Sequence, residues 1–395
     1  MSDHIESTDN DPFDLGRDPE RDELTGINYD DPRTAVIRTS DRGGFKRCRR
    51  RWGWQSHLRG NLTTIEGISP LWFGSGFHFA LEDFHGAKAY SHPRLAFEDY
   101  VRATYKMEKA VGKRLPSNWP DLVLLGRGML EYYADTWLVA RDPLKTFVWQ
   151  GRPQVEVNAL VEIPFQNAFY DKVYYAVTLD RVVERDDGFL YIVDYKTAAR
   201  IQTQFFQTDP QISAYCWLAS RLYNRPIGGF IYQQHRKDVP DMPRILGDGT
   251  ISISRQQLTT HRLYRKALIN HYGEVLKAPA ENVELLNWLN SIESPEQDRY
   301  IRRDTVYRNQ HQVEAEGVKL LMELEEMLNL DIPLYPNPTR ECGNMCHFNN
   351  ACVSMDDGGD WAEELRIGFK PKEADFDSWR KFLPQDKPKH ESVFA

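Results

Sequence analysis

Two runs rich in Tyr, Val, Ile and Leu, Tyr174 to Val183 and Phe189 to Tyr195, flank the tetrapeptide Arg185-Asp186-Asp187-Gly188. β-Branched and aromatic side chains suit a pleated, half-buried surface, and the glycine supplies the positive φ of a tight reversal. The pair therefore reads as a β-hairpin. Centring its loop on Asp187 sets Asp180, in Thr178-Leu179-Asp180-Arg181, opposite Asp194, in Ile192-Val193-Asp194-Tyr195-Lys196. Opposed residues share a face, with Cβ atoms roughly 5 Å apart. Alternation puts Leu190, Ile192, Asp194 and Lys196 on one side, so two carboxylates and an ammonium converge at one end of the hairpin. This trio suits hydrolysis of a phosphodiester. A divalent cation between the carboxylates neutralises phosphate charge and lowers the pKa of a bound water; the lysine orients or deprotonates that water, or meets the charge of the transition state. A surface hairpin with an ordinary cross-strand salt bridge carries the same residues, so the rest of the chain has to decide.

At 395 residues the chain can bury a substantial core and could hold two domains. It has no run of about 20 apolar residues that would serve as a membrane helix. Its start lacks the basic-then-apolar pattern of a secretory leader, and a cytoplasmic protein is the expectation. The net charge of −8 is unevenly placed: residues 1–31 hold eleven acidic groups against Arg17 and Arg21. This head has no hydrophobic periodicity and reads as disordered. Beyond it the sign reverses, with Arg42, Lys46, Arg47, Arg49, Arg50, Arg51 and Arg59 interleaved with Phe45, Trp52 and Trp54. Cations mixed with aromatics suit a nucleic-acid backbone and its bases; a solvated helix face with its tryptophans turned inward has the same composition.

The five cysteines are Cys48, Cys216, Cys342, Cys346 and Cys352. Clustered cysteines in a cytosolic chain point to a metal rather than to disulfides. The C-terminal trio is one thiolate short of a closed iron–sulfur or zinc site. Cys48 is the natural fourth, and His347 is an alternative ligand for zinc. Cys216, in the apolar helical run Ala214 to Ala219, reads as core.

Elsewhere, Thr34 to Leu58 reads as a short strand or turn leading into a helix. Leu71 to His78 opens another helix, with Ser75 as its N-cap. Arg94 to Lys109 and Leu122 to Leu138 have helical periodicity, with Pro116 and Pro120 between them as breakers. Val148 to Phe165 adds strand, Asp209-Pro210-Gln211 starts a helix through Leu222, and Gly228 to Gln234 is a further strand. From Arg255 onward the pattern is mainly helical, ending with Val313 to Leu328 and an extended Pro333-to-Pro338 approach to the cysteines. The stretch from Ser354 to Ala395 carries no readable function. No Gly-x-x-x-x-Gly-Lys-Ser/Thr phosphate loop is present, so any unwinding of DNA would come from another chain.

Taken in order, these motifs resemble the RecB-like branch of the PD-(D/E)XK nuclease superfamily. The likeness is to its iron–sulfur members, among them CRISPR-associated adaptation nucleases, the AddB nuclease domain and phage exonucleases. Cys48, Gly74-x-x-x-His78, Asp180, Asp194-x-Lys196, Gln211-x-x-x-Tyr215 and the closing cysteines fall in the family's order over roughly residues 35 to 355. Two departures stand out: Cys48 is followed by Arg-Arg-Arg-Trp without the usual proline, and the first gap of the trio is three residues rather than two.

The resemblance implies an α/β, restriction-endonuclease-like core: a mixed β-sheet flanked by helices, with a helical insertion. A cysteine-bound cluster would staple the N- and C-terminal regions together. One nuclease domain would span 32–355, with a catalytic core at about 70–250, a helical region at 251–335 and a cluster-binding segment at 336–355, followed by a tail at 356–395. His78, Asp180 and Asp194 are implied ligands of Mg²⁺ or Mn²⁺, ions that suit carboxylates with one imidazole. A core histidine paired with Glu82 is the other reading of His78. Lys196 would position or activate water. A glutamate on the preceding strand often joins such sites, and Glu156 and Glu162 both qualify. Gln211 and Tyr215 share a helix face and would contact DNA or buttress the lysine, while Arg49, Arg50 and Trp52 would meet the strand. Cys48, Cys342, Cys346 and Cys352 would hold a [4Fe–4S] cluster, with Zn²⁺ as the alternative. The implied activity is exonucleolytic cleavage of DNA, single-stranded or with single-stranded ends, in recombination or repair, with a helicase or recombinase as partner. A non-cleaving DNA-binding protein and a zinc-stabilised interaction module are the rival readings.

Overall fold

The computed structural model describes residues 31–64, 72–86, 88–110, 115–139, 142–204, 206–294 and 296–372. The expectation of disorder for the acidic head, up to residue 30, lies outside them. Strands in chain order are β1 Thr34–Ile37, β2 Lys145–Thr146, β3 Val155–Ile163, β4 Lys172–Glu184, β5 Leu190–Ala198, β6 Ile227–Arg236 and β7 Ile301–Tyr307. The principal helices are α1 Thr39–Arg47, α2 Arg49–Gln55, α3 Trp72–His85, α4 Pro93–Ala110, α5 Trp119–Tyr132, α6 Pro210–Tyr223, α7 His261–Tyr272, α8 Ala280–Ile292 and α9 Gln310–Met327. The chain forms two compact units. The larger takes residues 68–157 and 179–313; the smaller takes the residues up to 67, 158–178 and those from 314 onward.

In the larger unit, β4 and β5 form the antiparallel hairpin, β5 runs parallel to β6, and β6 pairs antiparallel with β7. Parallel neighbours cannot be joined by a tight turn; α6 makes the crossover and packs against β6. Asp209 begins α6 by accepting a hydrogen bond from the Gln211 N–H at 2.8 Å, and Pro210 occupies the first turn, where its missing donor is harmless. One face of the sheet, carrying Tyr191, Val193 and Tyr195, buries against Phe73 and Phe77 of α3, Phe97 of α4, Leu130 of α5 and Trp137 beyond it. Gly76 lets α3 and α4 approach, since a Cβ there would stand 2.7 Å from the Tyr100 ring. Cys216 is fully buried. A satellite cluster of Ile251, Tyr264, Leu268, Leu285 and Leu289 packs α7 against α8.

Two local expectations fail. Ser75 does not cap a helix, because α3 is already under way at Trp72. The helical reading from Arg255 onward misses β7, an edge strand whose Arg303 is buried in ion pairing while Arg302 and Asp304 are half-buried. Charges on both faces hide the period-two alternation that reveals a strand.

In the smaller unit, β1 pairs in parallel with the first residues of β4, Thr34 opposite Lys172 through Ile37 opposite Tyr175. Arg42 of α1 is buried against α9, donating to Glu316 at 2.9 Å and to Glu323 at 2.7 Å. The tail past Ser354 supplies core that its sequence did not advertise. Helix Trp361–Gly368 leads into Phe369–Pro371, which pairs with Leu62–Thr64. There Phe348 stacks on Phe369 at 4.2 Å, and Trp54 lies between Phe348 and Trp361.

Candidate active site

The hairpin has the register expected from its loop: Arg181 opposes Val193 and Glu184 opposes Leu190, which leaves Asp180 facing Asp194. The ladder stops at the Arg181–Val193 pair. One step further, the Tyr195 N–H donates to Asp180 Oδ2 at 2.8 Å, so a side-chain carboxylate takes the place of the backbone partner. That bond ends the pairing and pins the carboxylate.

His78, on α3, brings Nδ1 to 3.4 Å from Asp180 Oδ2. Glu156 completes the group: one ligand atom from each of His78, Glu156 and Asp180 lies within 4.8 Å of the other two. Oxygen or nitrogen ligands on one Mg²⁺ can stand up to about 4.2 Å apart, at 2.0–2.1 Å from the ion, so a small closure would bring all three to an ion. Glu156 has φ +46°, in the left-handed region, which a non-glycine residue enters at a cost of about 1–2 kcal/mol. The kink in β3 accompanies its place in the group. Of the two glutamates left open by the sequence, the group contains Glu156, while Glu162 is exposed.

Asp194 is only 4 % exposed and faces Lys196, whose Nζ lies 2.8 Å from Oδ1 and 2.7 Å from Oδ2. The ammonium thus meets both oxygens of the buried carboxylate. The His78–Glu156–Asp180 group does not include Asp194, although the sequence grouped it with His78 and Asp180. A buried carboxylate beside a carboxylate–imidazole group offers oxygen and nitrogen donors of the kind a hard divalent cation takes.

Protonation follows from burial and from these pairs. Burial opposes the Asp180 anion, but the His78 and Lys196 charges and the Tyr195 N–H outweigh it and hold the carboxyl below its usual range. Burial likewise opposes the His78 cation, yet Asp180 and Glu156 raise it to about 9. For Asp194 burial wins over Lys196 and the carboxyl rises to about 6. Burial lowers Lys196 less than the two aspartates raise it, so its pKa rises and it is an ammonium at neutral pH. As an ammonium, Lys196 presents a hydrogen-bond donor and a cation to the site.

Behind the site lies a polar layer that the sequence reading did not pick out. Arg181 is buried beside Asp142, donating to Leu144 O and Thr146 Oγ1 at 2.9 Å and reaching the Tyr195 hydroxyl at 3.5 Å. Arg303 donates to Asp142 Oδ1 at 2.9 Å, and His85 lies face to face with Tyr195 at 6.1 Å. This layer holds the residue whose N–H grips Asp180. Its only sequence signal is the arginine directly after Asp180.

Gln211 and Tyr215 are half-buried on one face of α6, with the Tyr215 ring 6.3 Å from Phe230 of β6. In the basic-aromatic segment Arg42, Phe45 and Trp52 are buried, while Lys46 and Arg47 are exposed. Trp52 is 3 % exposed and packs edge-on against Phe45 at 5.1 Å, which removes the stacking surface expected of it. Arg49 pairs with Glu326, and Arg50 donates to Asp356 Oδ1 at 2.6 Å. These arginines neutralise carboxylates of their own unit.

Cys48, Cys342, Cys346 and Cys352 lie in the smaller unit, where the proline-rich approach runs beside α2: Arg50 N donates to Tyr335 O at 3.1 Å, and Asn337 Nδ2 donates to Arg47 O at 3.0 Å. Donors meet three of the sulfurs. Arg51 N and Asn337 N each lie 3.5 Å from Cys48 Sγ, Thr339 N lies 3.3 Å from Cys342 Sγ, and Arg50 Nη1 lies 3.3 Å from Cys352 Sγ.

A mixed sheet flanked by helices, with a carboxylate–imidazole group and an Asp-x-Lys at a hairpin end, defines a fold of the restriction-endonuclease-like class. The chain belongs to the PD-(D/E)XK nuclease superfamily, whose family model matches residues 42–353. Members of that superfamily are metal-dependent nucleases. No curated protein matches the chain. Among solved structures, one titled "Crystal structure of SSO0001" aligns over 85 % of this chain and 92 % of its own, at 12 % identity and a TM-score of 0.30. Among the described residues no helix is long and apolar enough to cross a membrane.

Proposed function

We propose that this protein is a Mg²⁺- or Mn²⁺-dependent deoxyribonuclease with His78, Glu156, Asp180, Asp194 and Lys196 as its site. The observation that carries the reading is the convergence of His78, Glu156 and Asp180 beside the buried Asp194 carboxylate. A cation bound there would neutralise phosphate charge and make a water acidic enough to attack. The chain's own residues do the rest. Tyr195 N–H fixes Asp180, Glu156 is presented by a strained turn of backbone, and Asp194 holds Lys196 where its ammonium can hydrogen-bond a phosphate oxygen or the attacking water. Gln211 and Tyr215 would steady the strand from α6.

The motif order supports the narrower reading of an exonuclease on DNA ends in recombination or repair, fed by a separate helicase or recombinase. We further propose that Cys48, Cys342, Cys346 and Cys352 hold a [4Fe–4S] cluster. The donors aimed at Cys48, Cys342 and Cys352 suit charged sulfur ligands, whether of a cluster or of zinc. Digestion of end-labelled single- and double-stranded DNA with Mg²⁺ or Mn²⁺, beside a Lys196→Ala control, tests the function. Progressive loss of label that vanishes in the control is expected. No cleavage by metal-replete protein would leave a DNA-binding protein on a nuclease fold, and iron, sulfide and zinc analysis separates the cluster from zinc.

A further inference from the structure

The register of the larger unit carries the catalytic row across the sheet. Asp194 of β5 pairs with Tyr232 of β6, which pairs with Asp304 of β7; Lys196 pairs with Gln234, which pairs with Arg302. Paired residues share a face, and strands lie about 4.8 Å apart, so Arg302 and Asp304 sit on the site's own face about 10 Å along it. Over this row passes the loop between β5 and α6. Gln234, 2 % exposed, clamps the start of the loop: its Nε2 donates to Gln202 O at 2.6 Å, and its Oε1 accepts from Gln202 N at 2.9 Å. Arg308, 5 % exposed, ties down the far side, donating to Phe206 O at 3.3 Å, to Gln207 O at 3.0 Å and to Ser213 Oγ at 2.9 Å. Between loop and edge strand opens a cleft of about 610 Å³, lined by Thr203, Phe206, Thr208, Arg302, Asp304 and Val306. That volume lies within the range of small-molecule sites. Phe206 meets Tyr232 at 4.7 Å between ring centroids, which forms an aromatic wall at the end nearer Asp194.

We propose that this cleft is a nucleobase subsite of the strand being cut, in which a base one to three nucleotides from the scissile phosphate stacks on Phe206. This rests on the nuclease reading of the adjoining site. The lining favours a base over a phosphate. Arg302 is already neutralised by Asp304, with Nε 2.9 Å from Oδ2 and Nη2 3.0 Å from Oδ1. The pair thus offers donors and an acceptor side by side, as the edge of a base requires, and no net positive charge. Two buried polar side chains hold the loop in place, so the wall exists before DNA arrives. Stacking on an aromatic side chain tolerates any base, which fits a nuclease that must advance through sequence.

The test uses DNA oligonucleotides carrying one abasic site at successive positions from the first cut, on wild type, Phe206→Leu and Phe206→Trp, with Mg²⁺. Phe206→Leu keeps an apolar side chain in the loop without a flat face, and thermal melting checks that it folds. In wild type, one abasic position should lower the first-cut kcat/KM by roughly 5- to 150-fold, the range for losing one base–aromatic stack. Phe206→Leu should show the same loss on intact DNA and be indifferent to that position; Phe206→Trp should regain both rate and sensitivity. A Phe206→Leu profile identical to wild type would overturn the subsite while leaving the nuclease reading intact. If wild type cleaves nothing, fluorescence of 2-aminopurine placed at each position, without metal, decides. Quenching that Phe206→Leu abolishes would keep the subsite and end the nuclease reading, whereas absence of quenching at every position would end both.

Discussion

Raising the pH from 7 to 9 should tighten Mg²⁺ binding at the proposed site about 50-fold, and one imidazole accounts for the effect. Burial works against a charge on His78, but Asp180 and Glu156 hold its proton up to about pH 9. A metal needs the lone pair that this proton occupies. At pH 7 only about one molecule in a hundred has a neutral ring, a handicap of about 2.7 kcal/mol at 1.36 kcal/mol per pH unit. Affinity should therefore rise about tenfold per unit up to pH 8, bend over near pH 9 and then level off. Calorimetric titration in buffers of different ionisation enthalpy counts the protons: close to one should leave per cation at pH 7.5, and the release should disappear in His78→Gln. Zero release from wild type, or undiminished release from the variant, would refute the reasoning. The same shift sets a stability trend without metal. The folded pKa is raised above the unfolded value of about 6.5, so the His78 contribution is complete below pH 6.5 and lost as pH rises through 9. It amounts to at most about 3 kcal/mol, and melting of chelator-treated protein across that window reads it.

Lys196→Ala should cut the rate by about 10²- to 10⁴-fold, the usual worth of a positioned proton donor or charge stabiliser, as gel assays of end-labelled DNA would show. Asp194→Asn should abolish cleavage in the same assay, because it removes the anion that holds Lys196; cleavage at the wild-type rate would contradict this. Glu156→Gly should melt higher than Glu156→Ala by roughly 1 kcal/mol, since glycine accepts a positive φ, while both lose metal affinity. Trp52→Ala should destabilise by about 3–5 kcal/mol through its cavity and leave the DNA affinity of the folded variant unchanged; affinity weakened by about 1–3 kcal/mol, the worth of one base stack, would restore Trp52 to the DNA surface.

The hairpin register was legible because Asp187-Gly188 marks the turn and period-two alternation leaves one solution that buries Ile192 while aligning Asp180 with Asp194. The helices α4, α5 and α6 were legible from apolar periodicity and from Asp209-Pro210. β7 was not, since Arg303 is buried through its pairing with Asp142 and Gln233, partners more than 60 residues away. Trp52 and Arg50 were read as a surface for DNA because composition cannot say which way a side chain points. Carboxylates on α9 and on the helix Asn349–Asp357, invisible locally, claim the neighbouring cations.

What the sequence by itself determined is the chemistry on offer and the order in which it comes: opposed aspartates, a lysine two residues on, a histidine on an earlier helix, and cysteines at both ends. Only the tertiary structure decided between Glu156 and Glu162, by a left-handed turn at Glu156 that no alternation rule contains. It also turned Asp194 toward Lys196 and set the protonation of the whole group. The physical reason is that spacing along a strand is fixed by covalent geometry, whereas burial, backbone strain and charge pairing depend on segments that meet only when the chain has folded.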